Sequence, residues 1–319
     1  MMSRLGLALF ALWIVVLATT PFYADNSIVR TAIMLAMYSV LAFSWNFIGG
    51  FTGYPSFSTA AFFGLGSYAG AIAQTHGVPM GFAWVIATVF VAAFAAGLGM
   101  ILLRLRGHYF AIGSIGVVEV CRLVVSSWSG VTGGGNGLNV PLLMWAPDTV
   151  GAFFLWVMLG LMVIAFALTA FVDNHRLGFG LKCIRQNEDA ADMVGVNTTF
   201  YKVSAYILSA FLCGTAGAVY ASWIGYIDPT DSFQILLTVK VPVMALLGGA
   251  GTVLGPAVGT AAFVVMEEFV WANFLNWNRA ILGIIIVVLI FFLPGGLLKI
   301  SYRRMINRLK GRESAGAPV

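Results

Sequence analysis

The sequence predicts an all-α bundle of about ten transmembrane helices, and three observations carry that prediction. Only 9% of the 319 residues are charged, against roughly 25% in soluble domains. Several apolar runs reach the ~20 residues with which a helix crosses a hydrocarbon layer ~30 Å thick. The runs are apolar all round, without the period-two alternation of a membrane β-barrel.

Ten segments follow in order, at 5–22, 28–48, 58–75, 82–103, 108–128, 150–172, 201–224, 233–248, 253–272 and 280–297. The first has the basic start, apolar core and small Ala24 of a signal peptide. Pro21, Phe22 and Tyr23 make a poor cleavage site, so a retained span is expected. The second and third flank an irregular stretch, and the fourth and fifth are divided by Arg104 and Arg106. The seventh carries Ala210, Gly214, Ala218 and Ser222, while Gly251, Gly255 and Gly259 lead into the ninth. Small residues four apart let membrane helices pack closely. Together the segments form one membrane domain, 1–298, with a polar loop at 173–200 and a basic tail at 299–319.

Assigning the connections alternately to two sides gathers thirteen of the 17 basic residues on one of them. That group runs from Arg4 through Arg104, Arg106 and the polar loop to the tail. Arg30 and Arg279 fall opposite, and Arg122 and Lys240 lie within spans. Basic residues stay on the cytoplasmic face, so both termini are expected in the cytoplasm. The net charge of +5 is thereby accounted for without a nucleic-acid partner.

Cys121, Cys183 and Cys213 match no metal or disulfide spacing. The three histidines are scattered, and no nucleophile, base and acid fall together. Neither a catalytic centre nor a metal site is expected. No G-x-x-x-x-G-K-[ST] loop is present to grip ATP phosphates. The glycine-rich TGGGNGL, Thr132–Leu138, lacks the lysine and falls on the outer side.

Two stretches break the helical pattern. FIGGFTGYPSFS, Phe47–Ser58, holds three glycines and a proline, and LLGGAGTVLGP, Leu246–Pro256, holds four glycines and a proline. At membrane depth, irregular backbone persists only where protein buries it or it lines an aqueous cavity. Discontinuous helices of this kind build transport sites; the alternative is a tight turn at the membrane surface. Gly53, Tyr54, Phe57, Ser58, Lys240, Gly248 and Gly249 are the candidate lining of a passage. Freed backbone groups there suit a neutral polar cargo, and Tyr54 and Phe57 suit an apolar side chain. Ile48-Gly49-Gly50 ahead of Thr59–Phe62 parallels Leu247-Gly248-Gly249 ahead of Thr260–Phe263, a weak sign of an internal repeat.

Ionisable residues inside spans are expensive and become functional candidates. Glu119 and Arg122, three apart, are expected to neutralise each other. Lys240 is expected to pair with Asp228 or Asp231, or to snorkel outward.

The polar loop stands apart. From Asp173 to Lys202 it holds Asp173, Arg176, Lys182, Arg185, Glu188, Asp189, Asp192 and Lys202, out of 17 basic and 12 acidic residues in all. A plain connection takes only about 2–8 residues. Leu181–Val194 is expected to form one short helix, with Arg185 and Asp189 four apart, as are Glu188 and Asp192. Leu181, Ile184, Ala191 and Val194 make its apolar face, and Gly195 ends it in a left-handed cap. Such a helix lies on the membrane surface or docks on a soluble partner.

Glu188-Asp189-Ala190-Ala191 followed by Gly195 resembles the E-A-A…G loop of ABC importer permeases. Almost the whole chain after Ala42 is similar to the permeases for branched-chain amino acids, the larger permease subunit of such systems. The carrying segments are GGFTGYPSFSTAAFFGLGSY (Gly49–Tyr68), LRLRGHYFAIGSIG (Leu103–Gly116), TGGGNGL, the loop, and LLGGAGTVLGPAVG (Leu246–Gly259). The resemblance implies an ATP-driven importer in a bacterial inner membrane. Its partners would be a second related permease, two cytoplasmic ATPase subunits holding ATP and Mg, and a periplasmic binding protein. This chain would bind no cofactor itself. The cargo path would lie between the permeases. Leu181, Ile184, Arg185, Glu188, Asp189, Ala191 and Gly195 would form the helix that sits in an ATPase cleft.

The chain departs from the family at two places. Ser58-Thr59 stands where Gly-His is common, and Thr238-Val239-Lys240 where Ser-Ile and an acidic or polar residue are common. The expected cargo is therefore a branched-chain or related neutral amino acid, with urea or a short amide as the alternative. An ion-coupled secondary transporter, titrating at Glu119, Arg122 or Lys240, is the competing class.

Overall fold

The computed structural model describes residues 4–273 together with Ala280, Gly283, Ile284, Val287, Val288, Gly296 and Leu297. The order is α1 (Arg4–Thr19), α2 (Asn26–Trp45), α3 (Thr59–Thr75), α4 (Met80–Leu102), α5 (His108–Ser127) and α6 (Ser129–Thr132). There follow β1 (Leu138–Asn139), α7 (Pro147–Asn174), α8 (Arg176–Gln186), α9 (Glu188–Met193) and α10 (Thr198–Ile224). The remainder is β2 (Tyr226–Ile227), α11 (Pro229–Ser232), α12 (Ile235–Gly248) and α13 (Gly255–Asn273).

The first nine expected segments each coincide with a helix. The tenth, 280–297, falls largely outside the described residues, as does the tail at 299–319. Among the described residues six stretches have the length and hydropathy of a membrane-crossing helix: Asn26–Gly50, Met80–Leu102, His108–Ser127, Pro147–Asn174, Thr198–Ile224 and Pro229–Gly248. α3 is shorter, at 17 residues, because the irregular stretch before it consumes part of the apolar run. α13 carries the adjacent Glu267 and Glu268.

α2 and α10 form the interior. α2 packs on α7, while α10 lies against α3 and α4, and α12 pairs with α13. The expected small-residue ladder on α10 makes the α3 contact. A Cβ on Gly66 would lie 2.2 Å from the Gly214 carbonyl oxygen, and one on Gly70 would lie 2.9 Å from the Ala218 Cβ. Apolar surface gains little by leaving lipid for protein, so close backbone approach and interhelical hydrogen bonds hold such helices together. Ser67 Oγ donates to the Gly217 carbonyl at 3.0 Å, and Gln74 Nε2 to Ser222 Oγ at 2.8 Å. Gly255 and Gly259 make the equivalent approach to Gly248. Gly251 does not join them, because it sits in the preceding turn with φ +81°.

The polar loop is two helices rather than one. Asn187 is extended (φ −162°, ψ 114°), and its side chain accepts from the Ala190 N–H at 3.1 Å. Asparagine is a strong N-cap, so the chain restarts a helix there with Glu188 and Asp189 in its first turn. Leu181, Ile184 and Ala191 are buried as expected, whereas Val194 is 78% exposed. Gly195 has φ +86°, and its N–H bonds to the Asp192 carbonyl while the Val196 N–H bonds to that of Ala191. This pair of bonds closes the helix end and requires a left-handed residue. Nothing crowds the missing Cβ, so Gly195→Ala should cost only the backbone strain, about 1–2 kcal/mol. Thermal unfolding of the purified protein in detergent should show a small drop for Ala, a larger one for Val and the least for Asn; equal midpoints would contradict the cap.

Candidate coupling and transport site

Four connections meet at one end of the bundle: 51–58, 103–107, the α8–α9 loop and 249–254. Their assembly begins in α2, whose last turn widens into a π-helical turn at Asn46–Gly50, a feature frequent at functional sites. The widening turns the buried Asn46 amide toward the second irregular stretch. Its Oδ1 accepts from the Gly251 N–H at 2.7 Å, and its Nδ2 donates to the Thr252 carbonyl at 3.0 Å. The two broken stretches are thus tied to each other.

The polar loop is tied to both. Arg185 Nη1 donates to the Gly50 carbonyl at 2.6 Å and lies against Gly251. Tyr54 Oη donates to Glu188 Oε2. Lys202 Nζ donates to Glu188 Oε1 at 2.7 Å and to the Leu103 carbonyl at 3.0 Å, and lies 3.3 Å from Tyr54 Oη. Arg106 pairs with Asp189 at 2.8 Å and approaches Glu188 at 3.9 Å. Glu188 therefore faces inward, onto its own chain. Burial works to raise its carboxyl, but hydrogen bonds from Lys202 and Tyr54, with the charges of Lys202 and Arg106, hold it below the ordinary 4.5. Burial and the Glu188 contact push the Tyr54 hydroxyl upward. The Glu188 contribution to stability is present above its unfolded pKa and is lost only as pH falls through the lower folded one.

The first broken stretch connects onward to α5. The Phe57 N–H donates to Ser114 Oγ at 2.9 Å, and the Tyr54 ring meets that of Phe110 edge-on at 5.4 Å. Ser58 is fully buried, its hydroxyl 2.6 Å from Tyr206 Oη. Among the expected lining residues, Gly53 is exposed and Phe57 half-buried, while Tyr54, Ser58, Gly248 and Gly249 are packed within the chain.

Lys240 pairs with Glu267 of α13, rather than with Asp228 or Asp231. Asp228 instead caps α11, accepting from the N–H groups of Thr230 and Asp231. The Lys240 and Glu267 side chains are 11% and 16% exposed. Breaking such a pair costs about 3–5 kcal/mol, whereas replacing both partners by apolar groups is often neutral. Lys240→Leu should therefore lower thermal stability sharply, and Glu267→Leu in the same chain should restore it; no rescue would mean that the pair is not the reason for the loss. Glu119 and Arg122 pair as expected, Arg122 Nε donating to Glu119 Oε2 at 3.0 Å.

Arg106 and Lys202, read from the sequence only as cytoplasmic charges, complete these networks together with Asn46, Tyr206 and Glu267, which the sequence reading does not single out. Asn46 and Glu267 were visible as polar residues in apolar runs. Among the described residues no group of three His, Cys, Asp or Glu side chains is placed to hold a metal. Cys121 and Cys213 are buried and Cys183 is exposed.

At the other end, β1 and β2 pair antiparallel. The glycine turn before β1 seats on β2, with Tyr226 Oη donating to the Asn136 carbonyl at 2.9 Å.

Six helices of membrane-crossing length, two of them joined through interrupted stretches that are cross-tied at one end, make this a multi-pass membrane protein. The chain belongs to the family described as branched-chain amino acid transport system / permease component, whose model matches residues 27–290. It is 28% identical to the high-affinity branched-chain amino acid transport system permease protein LivM of Salmonella typhimurium, over 97% of this chain and 78% of that one. The LivM protein of Escherichia coli is also 28% identical, over 92% and 75%. The autoinducer 2 import system permease protein LsrC of Yersinia pseudotuberculosis is 25% identical, over 77% and 72%. No solved structure matches the chain significantly.

Proposed function

We propose that the chain is the membrane subunit of an ATP-driven importer in a bacterial inner membrane, moving branched-chain or related neutral amino acids by alternating access. ATP and Mg would be held on two separate cytoplasmic ATPase subunits. A second related permease and a periplasmic binding protein would complete the system. About ten spans, with both termini in the cytoplasm, fit the distribution of basic residues.

The single observation that carries this reading is the α8–α9 loop, which is capped at Asn187 and Gly195 and joined to both broken stretches. A force applied to it has a route inward. Pushed at α9, it moves Glu188 and hence Tyr54; pushed at α8, it moves Arg185, Gly50 and Gly251. Through Phe110 and Ser114 the same displacement reaches α5. The surface left to an ATPase is the far side of α9, where Asp189, Asp192, Met193 and Val194 are exposed. Two neighbouring apolar side chains, 83% and 78% exposed, suit insertion into a cleft.

The names of the LivM relatives support an amino-acid cargo, and the LsrC similarity keeps a different small polar cargo, including urea or a short amide, as the alternative. Ion coupling is the weaker reading, because Glu119 and Lys240 each have a partner of opposite charge within the chain. Met193→Glu with Val194→Glu should leave the fold intact but abolish co-purification of the ATPase subunits and cargo uptake. Full retention of both would overturn the docking assignment.

A further inference from the structure

We propose that Glu119 and Arg122 recognise a zwitterionic cargo on the wall of the passage, an inference that rests on the importer reading. The buried residues of α5 are Phe110, Ser114, Val118, Cys121 and Val125, a stripe at helical spacing turned to the chain's own bundle. The opposite face carries Ile112, Gly116, Glu119 and Leu123 at the same spacing. Ile112 and Leu123 are 69% and 51% exposed, and a Cβ on Gly116 would meet nothing within 4 Å. The Glu119 side chain on that face and the Arg122 side chain on its flank are 39% and 32% exposed, in the interior of a helix of membrane-crossing length. Charges at such depth are expensive against lipid and face protein or a water-filled cavity instead.

The pair satisfies itself only in part. Arg122 uses Nε and Nη2 on Glu119, while its guanidinium has five N–H donors and the carboxylate has lone pairs to spare. Side by side they offer an anion acceptor and a cation acceptor to one small molecule. An α-amino acid fits both, its carboxylate on Arg122 and its ammonium on Glu119. A solute without one of those charges satisfies half of the pair. The inward face of the same helix receives Phe57 and Tyr54, so α5 joins the recognition pair to the coupling network.

The test uses the complete transporter in liposomes, with Ile115→Cys or Leu123→Cys in a chain whose native cysteines are replaced. A water-soluble charged thiol reagent should label both positions. L-Leucine in excess should slow the labelling, and leucinamide, which lacks the carboxylate, should not. Glu119→Leu with Arg122→Leu should assemble normally and lose uptake of leucine about tenfold or more, as expected for losing charge-assisted contacts. Absence of labelling in every nucleotide state, equal protection by leucinamide, or unchanged uptake in the double variant would each overturn the proposal. If the double variant fails to assemble, labelling and its protection decide. A wild-type transporter that accumulates no neutral amino acid with ATP defeats the importer reading instead, and labelling with protection by leucine still decides this one.

Discussion

Glu188→Leu should destabilise the protein by about 3–5 kcal/mol, the cost of stranding one partner of a buried ion pair, and should abolish uptake. Lys202 is 4% exposed on its side chain, and without Glu188 only the Leu103 carbonyl and Tyr54 Oη remain within its reach. Tyr54 loses its acceptor at the same time. Lys202→Met should cost less, because Glu188 keeps the Tyr54 hydroxyl and the more distant Arg106. The double variant separates structure from function: thermal stability should recover in large part, because two apolar groups replace two charges and only the Tyr54 hydroxyl stays without its acceptor. Uptake should not recover, because α9 no longer grips Tyr54. If the double variant regains both, the contact serves the fold alone.

Gly66→Leu should have a still larger effect on folding. Its first side-chain atom would lie 2.2 Å from the Gly214 carbonyl oxygen and 2.6 Å from the Gly214 Cα, so backbone rather than a flexible side chain must move. Gly214 cannot yield, because a Cβ on its own far side would meet Val91 of α4 at 2.8 Å. Separating α3 from α10 also breaks the Ser67–Gly217 and Gln74–Ser222 bonds. Overpacking a core typically costs about 1–3 kcal/mol, and a clash with a backbone belongs above that range. Size-exclusion profiles of detergent extracts should show no native peak for Gly66→Leu and a reduced one for Gly66→Ala. A native profile with an unchanged midpoint would mean that the helices pack differently.

The helices were legible because membrane spans leave a long apolar signal that needs no tertiary knowledge. The Gly214 ladder was legible for the same reason, since close packing demands small residues at fixed spacing. The contacts that join the site were not. Tyr54 and Glu188 are 134 positions apart, and Gly50 and Arg185 are 135 apart; nothing local in either segment names the other. For Lys240 the sequence offers Asp228 or Asp231, placed near the outer end, or snorkelling toward that surface. Its partner Glu267 lies across the α12–α13 hairpin, whose register is set by Gly248 against Gly255 and Gly259. The break at Asn187 was readable in principle. An asparagine followed by two acids is a helix start, but the apolar spacing on either side suggested one continuous helix.

The central claim is that ATP, acting through the α8–α9 loop, drives cargo across the membrane. Proteoliposomes containing the complete transporter, with ion gradients collapsed by ionophores, measure it most directly. Labelled leucine should accumulate only with ATP on the α8–α9 side, and Glu188→Leu/Lys202→Met should remove that accumulation. Uptake that follows an imposed ion gradient without ATP, or that survives loss of the Glu188 contact, would contradict the account.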